Sequence, residues 1–101
     1  MFPSHDPIEF KNLAPIWLQT DKSRLYQLVF NLLDNATKYA SKNSTIKILA
    51  YNQELEISNN TESETYLAGL GLSICHKIAT KLGFRLSLSL ESKQFVAKVT
   101  F

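Results

Sequence analysis

The most regular pattern of apolar and polar positions lies in the first half of the chain, directly after Asp21. Apolar residues recur there at the three- and four-residue spacing that brings side chains to one face of an α-helix. They are Leu25, Leu28, Val29, Leu32, Leu33 and Ala36. Asp21 is a favourable N-cap, because its carboxylate can accept hydrogen bonds from the first backbone N–H groups of a helix. The pattern predicts an amphipathic helix that begins after Asp21 and ends near Tyr39 or Ala40.

Short runs of alternating apolar and polar residues predict β-strands on both sides of this helix. Before it, strands are predicted at Ile8–Lys11 and Ile16–Gln19, around Pro15, and residues 1–7 are an extended lead-in. After it, a loop is predicted at residues 42–44. An antiparallel hairpin is then expected from the strands Thr45–Ala50 and Glu54–Ser58, with its turn at residues 51–53.

The second half of the chain repeats the order of helix and hairpin. A polar stretch, Asn59–Ala68, predicts a loop, and Gly69–Leu72 leads into a second helix that Gly83 is placed to end. The apolar stripe of that helix is Leu72, Cys75, Ile78, Ala79 and Leu82. Two alternating strands follow, with the turn between them at residues 91–93. Their apolar positions are Phe84, Leu86, Leu88 and Leu90, then Phe95, Ala97, Val99 and Phe101.

The order of strands, helix, hairpin, helix and hairpin predicts an α/β fold. In it, two layers form a sandwich, with both helices on one face of a mostly antiparallel sheet. The 101 residues are enough for one domain, and 45% hydrophobic residues are enough for a core without metal or disulfide. The net charge of +2 is too small to indicate nucleic acid or a membrane surface as a partner.

Cys75 is the single cysteine of the chain, so it cannot form an internal disulfide, which fits a reducing compartment. Its place on the apolar face of the second helix predicts a buried packing thiol rather than a nucleophile. No apolar run approaches the roughly 20 residues that span a bilayer, and no signal-peptide pattern opens the chain. The sequence alone therefore predicts an intracellular domain.

A polar stripe follows the edge of the apolar face of the first helix. At about 100° per residue, Asn31, Asn35 and Lys38 project on one flank, and Tyr39 lies between that flank and the apolar face. Asparagine is a poor helix former, because its amide competes for backbone hydrogen bonds. Two asparagines four residues apart therefore cost stability without a structural return. The stripe is either a solvated flank or the wall of a functional cleft, and periodicity does not separate the two.

Gly69 and Gly71 stand at the start of the second helix. Glycines at such a place allow close backbone approach, and the N–H groups and positive dipole end of a helix favour a phosphate. The chain contains neither a G-x-x-x-x-G-K-[ST] loop nor a G-x-G-x-x-G pattern, which excludes the P-loop and Rossmann types of nucleotide site.

These segments together resemble a known superfamily. Residues 24–40, RLYQLVFNLLDNATKYA, are similar to the N box of histidine kinases within the gyrase, Hsp90, histidine kinase and MutL superfamily. Residues 69–75, GLGLSIC, are similar to its second glycine box, and residues 55–60, LEISNN, lie where its first glycine box is expected. Residues 20–25 match the usual approach to the N box. The resemblance covers about Ile8 to Phe101 and implies the Bergerat-type ATPase fold.

The resemblance also implies roles for single residues. Asn35 is expected to give its amide oxygen to Mg²⁺ that bridges the phosphates of ATP, and with Lys38, which neutralises them, it forms the catalytic pair. Asn31 is expected beside the phosphates and Tyr39 at the base or ribose. Asn59 stands where the family has an aspartate that accepts a hydrogen bond from the adenine amino group. The nucleotide-binding set is completed by Gly69, Leu70, Gly71 and Leu72, at the hinge of the lid.

The family further implies partners and a location. Such domains transfer the γ-phosphoryl group of ATP to a histidine on a separate phosphoacceptor and dimerisation domain of the same kinase, which then serves a downstream response regulator. They are cytoplasmic parts of membrane-bound sensors and do not contact the membrane themselves. Neither histidine of this chain is expected to be the acceptor. Pro7 forbids a helix at His5, and His76 lies off the apolar stripe as a surface residue.

Several features depart from the family pattern. Asn59 replaces the aspartate, Asn60 and Thr61 replace glycines, the phenylalanine-containing box is missing, and the lid is reduced to about residues 61–68. An amide accepts a hydrogen bond without charge assistance, so weaker adenine binding is expected. The alternative is a degenerate domain of the same fold that binds no nucleotide and mediates protein interaction. An ATPase of the Hsp90 or gyrase type needs an acidic general base on the N-box helix. Asn31 stands near that place and cannot abstract a proton, so the sequence disfavours this type.

Overall fold

The computed structural model describes residues 8–13, 16–41, 44–61 and 70–101. Within these ranges seven elements follow one another. They are β1 (Ile8–Asn12), α1 (Lys22–Tyr39), β2 (Ile46–Tyr51), β3 (Glu54–Asn60), α2 (Leu70–Leu82), β4 (Arg85–Glu91) and β5 (Gln94–Thr100). The predicted lead-in of residues 1–7, most of the predicted lid (residues 62–68), Gly69, Lys42 and Asn43 lie outside the described residues.

The strands form one sheet in the order β1-β2-β3-β5-β4. β1 runs parallel to β2, and the other three neighbouring pairs are antiparallel. α1 packs on β3, and α2 packs on β4 and beside α1, so both helices lie on the same face of the sheet. The predicted two-layer sandwich with a mostly antiparallel sheet is confirmed.

α1 begins and ends where the sequence predicts. The carboxylate of Asp21 accepts hydrogen bonds from the backbone N–H groups of Ser23 and Arg24, at 3.0 and 3.2 Å, and so caps the helix. Leu28, Leu32 and Ala36 of the predicted apolar face are buried in the core. They pack there with Leu72, Cys75, Ile78 and Ala79 of α2 and with Ile46, Ile57, Phe95, Ala97 and Val99 of the sheet.

α2 ends in a Schellman motif centred on Gly83, as the placement of that glycine predicts. The backbone N–H of Gly83 donates to the carbonyl of Thr80 at 3.1 Å, and that of Phe84 donates to the carbonyl of Ala79 at 2.9 Å. Gly83 has φ +77°, which a residue with a Cβ adopts only at a cost.

Both predicted hairpins are present, and each turns through two residues with positive φ. These are Asn52 and Gln53 in the first hairpin, and Ser92 and Lys93 in the second. Positive φ at both central residues is the property of the type I′ turn, which matches the twist of antiparallel strands.

Two sequence predictions are wrong. Residues 16–19 are not a strand, although their side chains alternate between half-buried and exposed. β1 already occupies the edge of β2, and an extended segment becomes a strand only where its backbone pairs with a neighbour. Asn59 and Asn60 belong to β3 rather than to the following loop, because their backbones pair with Phe95 and Gln94 of β5. This pairing outweighs their low β-propensity.

Candidate functional site

The polar stripe of α1 lies on the flank that faces α2. Arg24, about two turns before Asn31 on the same flank, lines a shallow cavity of about 520 Å³ together with residues of α2. The α2 residues of that cavity are His76, Lys77, Ile78, Thr80 and Lys81, from the middle of the helix to its last turn. The first turn of α1 therefore lies beside the end of α2, and the two helices are antiparallel.

The antiparallel arrangement brings the second half of α1 beside the beginning of α2. Asn31, Asn35 and Lys38 therefore lie on the flank that faces the first turn of α2, where backbone N–H groups have no partner inside the helix. The dipole of α2 adds positive potential at the same end. Two amides, one ammonium and a helix N-terminus are suited to hold a polyanion.

Asn35 is the most informative residue of this flank. Its side chain is only 8% exposed, and no hydrogen bond joins it to another residue in the described part of the chain. Among the described residues, Oγ of Ser41 is the one buried side-chain nitrogen or oxygen without a hydrogen-bond partner, so the amide of Asn35 reaches the surface. The amide is therefore open to a ligand that enters from the cleft.

The other residues of the stripe grade from half-buried to exposed. Asn31 is half-buried, and Lys38, in the last turn of α1, is exposed, so its ammonium can move toward an anion in the cleft. Tyr39 is half-buried and packs against the core, which fixes the edge of its ring at the end of the helix. The predicted set Asn31, Asn35, Lys38 and Tyr39 is thus brought to one side of α1 by helical geometry.

Asn59 lies near the end of β3, with a side chain that is 2% exposed. Its register partner is Phe95, next to the pairing of Ile57 with Ala97, so it projects on the helix-bearing face of the sheet. Its Nδ2 donates a hydrogen bond to the carbonyl of Asn60 at 3.1 Å. Of the two polar atoms of an amide only the oxygen accepts, so Oδ1 is the atom of Asn59 suited to the amino group of a ligand.

One backbone hydrogen bond joins the end of β3 to the segment that follows α1. The N–H of Ser41, two residues after the end of α1, donates to the carbonyl of Asn60 at 2.7 Å. That carbonyl also accepts from the Asn59 amide, so the end of α1 and the end of β3 meet at one acceptor. Tyr39 and Asn59, which are 20 positions apart in the sequence, are thereby placed at the same end of the cleft.

Ser41 is a residue that the sequence reasoning missed. Its Oγ is buried and has no hydrogen-bond partner among the described residues, and its carbonyl accepts from the backbone N–H and the Oγ of Ser44. These bonds shape the chain directly after the N box. Serine after a helix is common in any sequence, and the contact with Asn60 is long-range, so no local signal marks it.

The second glycine box is only partly described. α2 begins at Leu70, and Gly71 follows in its first turn. Gly69 lies outside the described residues. The side chain of Leu72 is 2% exposed and belongs to the core, so this residue can border a phosphate only through its backbone.

Cys75 has the environment of a packing thiol, as its position in the stripe predicts. It is fully buried between the two helices and the sheet. Burial disfavours the thiolate and raises the pKa of Cys75 from 9.0 to about 11, against a smaller lowering by a backbone hydrogen bond. At neutral pH the group is a neutral thiol, so it is not a nucleophile. His76 is exposed on α2, as predicted.

No group of three or more His, Cys, Asp or Glu residues suited to a metal is present within the described ranges. The chemistry of the flank nevertheless fits Mg²⁺ in a nucleotide complex. Magnesium keeps several waters and takes one or two protein oxygens together with phosphate oxygens, and the side chain of Asn35 carries an amide oxygen of that kind. In the same ranges no helix combines the length and hydropathy needed to cross a bilayer.

Residues 20–101 match the family described as histidine kinase-, DNA gyrase B- and HSP90-like ATPase. This chain therefore belongs to that family. The match includes α1, α2 and the last four strands of the sheet, and with them every residue of the site described above. No curated protein sequence matches the chain.

Solved structures with the same fold are histidine kinase domains. The cytoplasmic segment of histidine kinase QseC is 26% identical, with a TM-score of 0.80 over 95% of this chain and 60% of that one. The mycobacterial sensor histidine kinase MprB is 20% identical, with a TM-score of 0.79 over 93% of this chain and 79% of that one. Full-length ShkA in complex with AMPPNP is 17% identical, with a TM-score of 0.68 over 96% and 26%. The chain thus spans 60% of the QseC segment and about a quarter of ShkA.

Proposed function

We propose that this domain binds ATP with Mg²⁺ and acts as the catalytic domain of a two-component sensor histidine kinase. The observation that carries the proposal is Asn35. It is an asparagine in the middle of a helix, it is 8% exposed, and its amide makes no hydrogen bond within the described part of the chain. It lies on the flank of α1 that faces the beginning of α2. Membership of an ATPase family supports ATP as the ligand.

The proposed site divides the nucleotide between the two ends of the cleft. The phosphates lie between the flank of α1 and the first turn of α2. Asn35 gives its Oδ1 to the metal, Asn31 lies beside the phosphates, and Lys38 reaches them from the exposed side. Adenine lies at the end of β3, where Oδ1 of Asn59 accepts from the amino group and Tyr39 borders the base or ribose. When bound, the metal neutralises phosphate charge and orients the γ-phosphoryl group.

The acceptor in this proposal is a histidine on a separate phosphoacceptor and dimerisation domain. Cys75 is buried, and His76 is an exposed residue in the second turn of α2. The cavity that His76 lines contains Arg24, which lies about three turns before Asn35 on α1. The partner domain supplies the acceptor, and a response regulator receives the phosphoryl group from it. We place this activity on the cytoplasmic side of a sensor.

Calorimetric titration of ATP onto this domain, with and without Mg²⁺, tests the proposal. We expect saturable binding that is stronger with Mg²⁺, since a single amide oxygen and one nearby ammonium leave much of the phosphate charge to the metal. If neither titration releases heat and the addition of ATP leaves the unfolding temperature of the domain unchanged, nucleotide binding is contradicted. It would favour the second candidate, an interaction module of the same fold, for which the replacement of the family aspartate by Asn59 is the supporting observation.

We further expect that the domain alone does not phosphorylate itself. Orienting donor and acceptor contributes several kcal/mol to such reactions, and that contribution must come from a partner that holds the histidine at the γ-phosphate. Incubation with γ-labelled ATP, followed by a test for acid-labile phosphohistidine, measures this. Stoichiometric label on His76 or His5 would overturn the proposed division between catalytic and acceptor domains.

A further inference from the structure

Strand β4 forms one edge of the sheet, with β5 on one side and no strand of the described chain on the other. A two-residue turn joins β4 to β5, so the pair of Glu91 and Gln94 that flanks it is hydrogen-bonded, because the first residue of such a turn accepts from the fourth. Bonded and non-bonded positions alternate along an antiparallel strand. The backbone N–H and C=O groups that point away from β5 are therefore those of Leu86, Leu88 and Leu90.

These outward groups of β4 have no hydrogen-bond partner among the described residues. A free strand edge pairs readily with another strand, and proteins protect it by proline, a bulge, short length or charges in the middle of the strand. β4 has none of these protections. It is seven residues long, it keeps an unbroken register with β5, and its charged residues, Arg85 and Glu91, stand at its two ends. The other edge strand, β1, is five residues long and carries Glu9 and Lys11 within it.

The sequence of β4 is complementary to itself when its direction is reversed. Residues 86–90, LSLSL, read the same in both directions, and the residues on either side of them, Arg85 and Glu91, have opposite charges. An antiparallel pair of two β4 strands centred on Leu88 therefore places Arg85 of each copy opposite Glu91 of the other. In the same pair each serine lies opposite a serine and each leucine opposite a leucine.

The free backbone groups are satisfied in the same register. Its leucine pairs are the positions whose N–H and C=O groups point outward, so each of the three pairs exchanges two hydrogen bonds. A shift of one strand by two residues removes one leucine pair and both pairs of Arg85 with Glu91. A shift by one residue places a leucine opposite a serine, whose backbone groups point toward β5. Backbone and side chains thus select one register.

The side chains of β4 divide between the two faces of the sheet. Its three leucines are half-buried against the core on the helix-bearing face, and the other four residues are exposed on the opposite face. Neither Arg85 nor Glu91 forms an ion pair with another described residue. In the strand pair they meet at non-hydrogen-bonded positions, where opposed side chains are closest and opposite charges stabilise the pairing. The leucines at the same time lose contact with water.

The helices leave room for this arrangement. Phe95, Ala97 and Val99 of β5 are at most 3% exposed, whereas the leucines of β4 are half-buried, so α2 covers β5 fully and β4 in part. Neighbouring strands are about 4.8 Å apart, so helices centred between β5 and β4 in two copies are about 9.6 Å apart, within the ~8–10 Å at which helices pack. α2 stands between this edge and the flank of α1 with Asn35, so the proposed nucleotide cleft stays open.

We infer that the free edge of β4 is an interface for a second copy of this chain. Two β4 strands pair antiparallel about a two-fold axis at Leu88, and the two five-stranded sheets join into one continuous sheet. The same residues of both copies form the contact, so the assembly closes with two chains. The inference does not depend on nucleotide binding, because no residue of the proposed cleft takes part in it.

Sedimentation of the 101-residue chain at increasing concentration tests the inference. We expect an equilibrium between monomer and dimer without larger species. Backbone hydrogen exchange in the same samples reports where the chains meet. It should slow in the dimer at the amides of Leu86, Leu88 and Leu90, whose N–H groups become bonded, and stay unchanged along β1.

Charge reversal at the ends of β4 tests the register. Arg85→Glu places two carboxylates opposite each other at both ends of the strand pair, and Glu91→Arg places two guanidinium groups there. Each variant should dimerise roughly ten-fold more weakly, because the two-fold axis repeats the unfavourable pair. A mixture of the two variants brings opposite charges together again and should restore dimerisation. Both side chains are exposed, so the fold should be kept, which thermal unfolding checks. Lys11→Glu, a charge reversal on the other edge strand, is the matched control and should dimerise as the parent chain does.

Three results would overturn the inference. The first is a chain that stays monomeric at every concentration. The second is a self-association that Arg85→Glu and Glu91→Arg leave unchanged, and the third is one that Lys11→Glu abolishes. The second and third results would place the contact between copies on another surface of the domain.

Discussion

Replacement of Asn35 by alanine should remove the magnesium-dependent part of ATP binding and at the same time leave the domain as stable as before, or more stable. The loss is expected because hydrogen bonds and coordination to charged groups contribute about 1.5–3 kcal/mol, which corresponds to roughly ten-fold or more in affinity. Stability is retained because the Asn35 amide makes no hydrogen bond in the described part of the chain. Alanine also gains about 0.5 kcal/mol in helix propensity.

The experiment is informative because ATP affinity is expected to fall while the stability of the domain is expected to stay the same or rise. Truncation of a residue that serves the fold lowers the stability of the domain, whereas truncation of a residue that serves a ligand lowers the binding affinity alone. Calorimetric titration of ATP with and without Mg²⁺ gives the first quantity, and thermal or urea unfolding gives the second. Gln27→Ala, an exposed polar position on the same helix, is the matched control and should change neither.

Two outcomes would contradict the assignment. One is a variant whose ATP affinity still depends on Mg²⁺ as in the parent chain, which would place the metal elsewhere. The other is a fall in unfolding free energy of about 2 kcal/mol or more, which is the cost of a lost buried hydrogen bond and would give Asn35 a structural role.

The helices and hairpins could be predicted from the sequence because local signals and tertiary burial agree there. The stripe containing Leu28 and Leu32 is the face that the core buries, and Asp21 and Gly83 act at the helix ends that they mark. The flank with Asn31 and Asn35 could be predicted for the same reason. Once a helix is fixed, its geometry decides which side chains share a side.

The remaining features depend on contacts that local sequence does not encode. Asn59 and Asn60 have the composition of a loop, and only their pairing with β5 makes them part of a strand. The bond from Ser41 to Asn60 joins the end of α1 to that strand, so the two ends of the proposed cleft could not be placed together before the fold was known. The segment 16–19 shows the converse, since its alternation is real but no edge remains for it to pair with.

The choice between a working nucleotide site and a degenerate one depends on what Asn59 does. In the structure its Nδ2 donates to the carbonyl of Asn60, and Oδ1 is the acceptor atom of the amide. An oxygen in a side chain that is 2% exposed forms hydrogen bonds in a low-dielectric environment, where each bond is stronger and each unsatisfied group costs more. A neutral amide in this setting can therefore still select adenine by its amino group.

ATP and inosine triphosphate separate this role from phosphate binding, because the second nucleotide carries an oxygen where adenine carries the amino group. The parent domain should prefer ATP by roughly five- to thirty-fold, since replacing the donating amino group by an oxygen that faces Oδ1 costs about 1–2 kcal/mol. Asn59→Ala should remove the preference by weakening ATP binding to the level of inosine triphosphate. The variant also loses the bond to Asn60, so a fall in stability of about 1 kcal/mol is expected.

Asn59→Asp is the complementary variant, because it restores the carboxylate of the family pattern. Hydrogen bonds to a charged acceptor contribute about 1.5–3 kcal/mol against about 1 kcal/mol for neutral groups, so ATP should bind several-fold more tightly. The gain is opposed by the carbonyl of Asn60, which the carboxylate would face without a proton to donate. Asn60→Ala is the control, because that side chain is exposed and its carbonyl remains in place. Equal affinity for both nucleotides in the parent domain, with no response to either change at Asn59, would show that adenine is held elsewhere or that the domain binds no nucleotide.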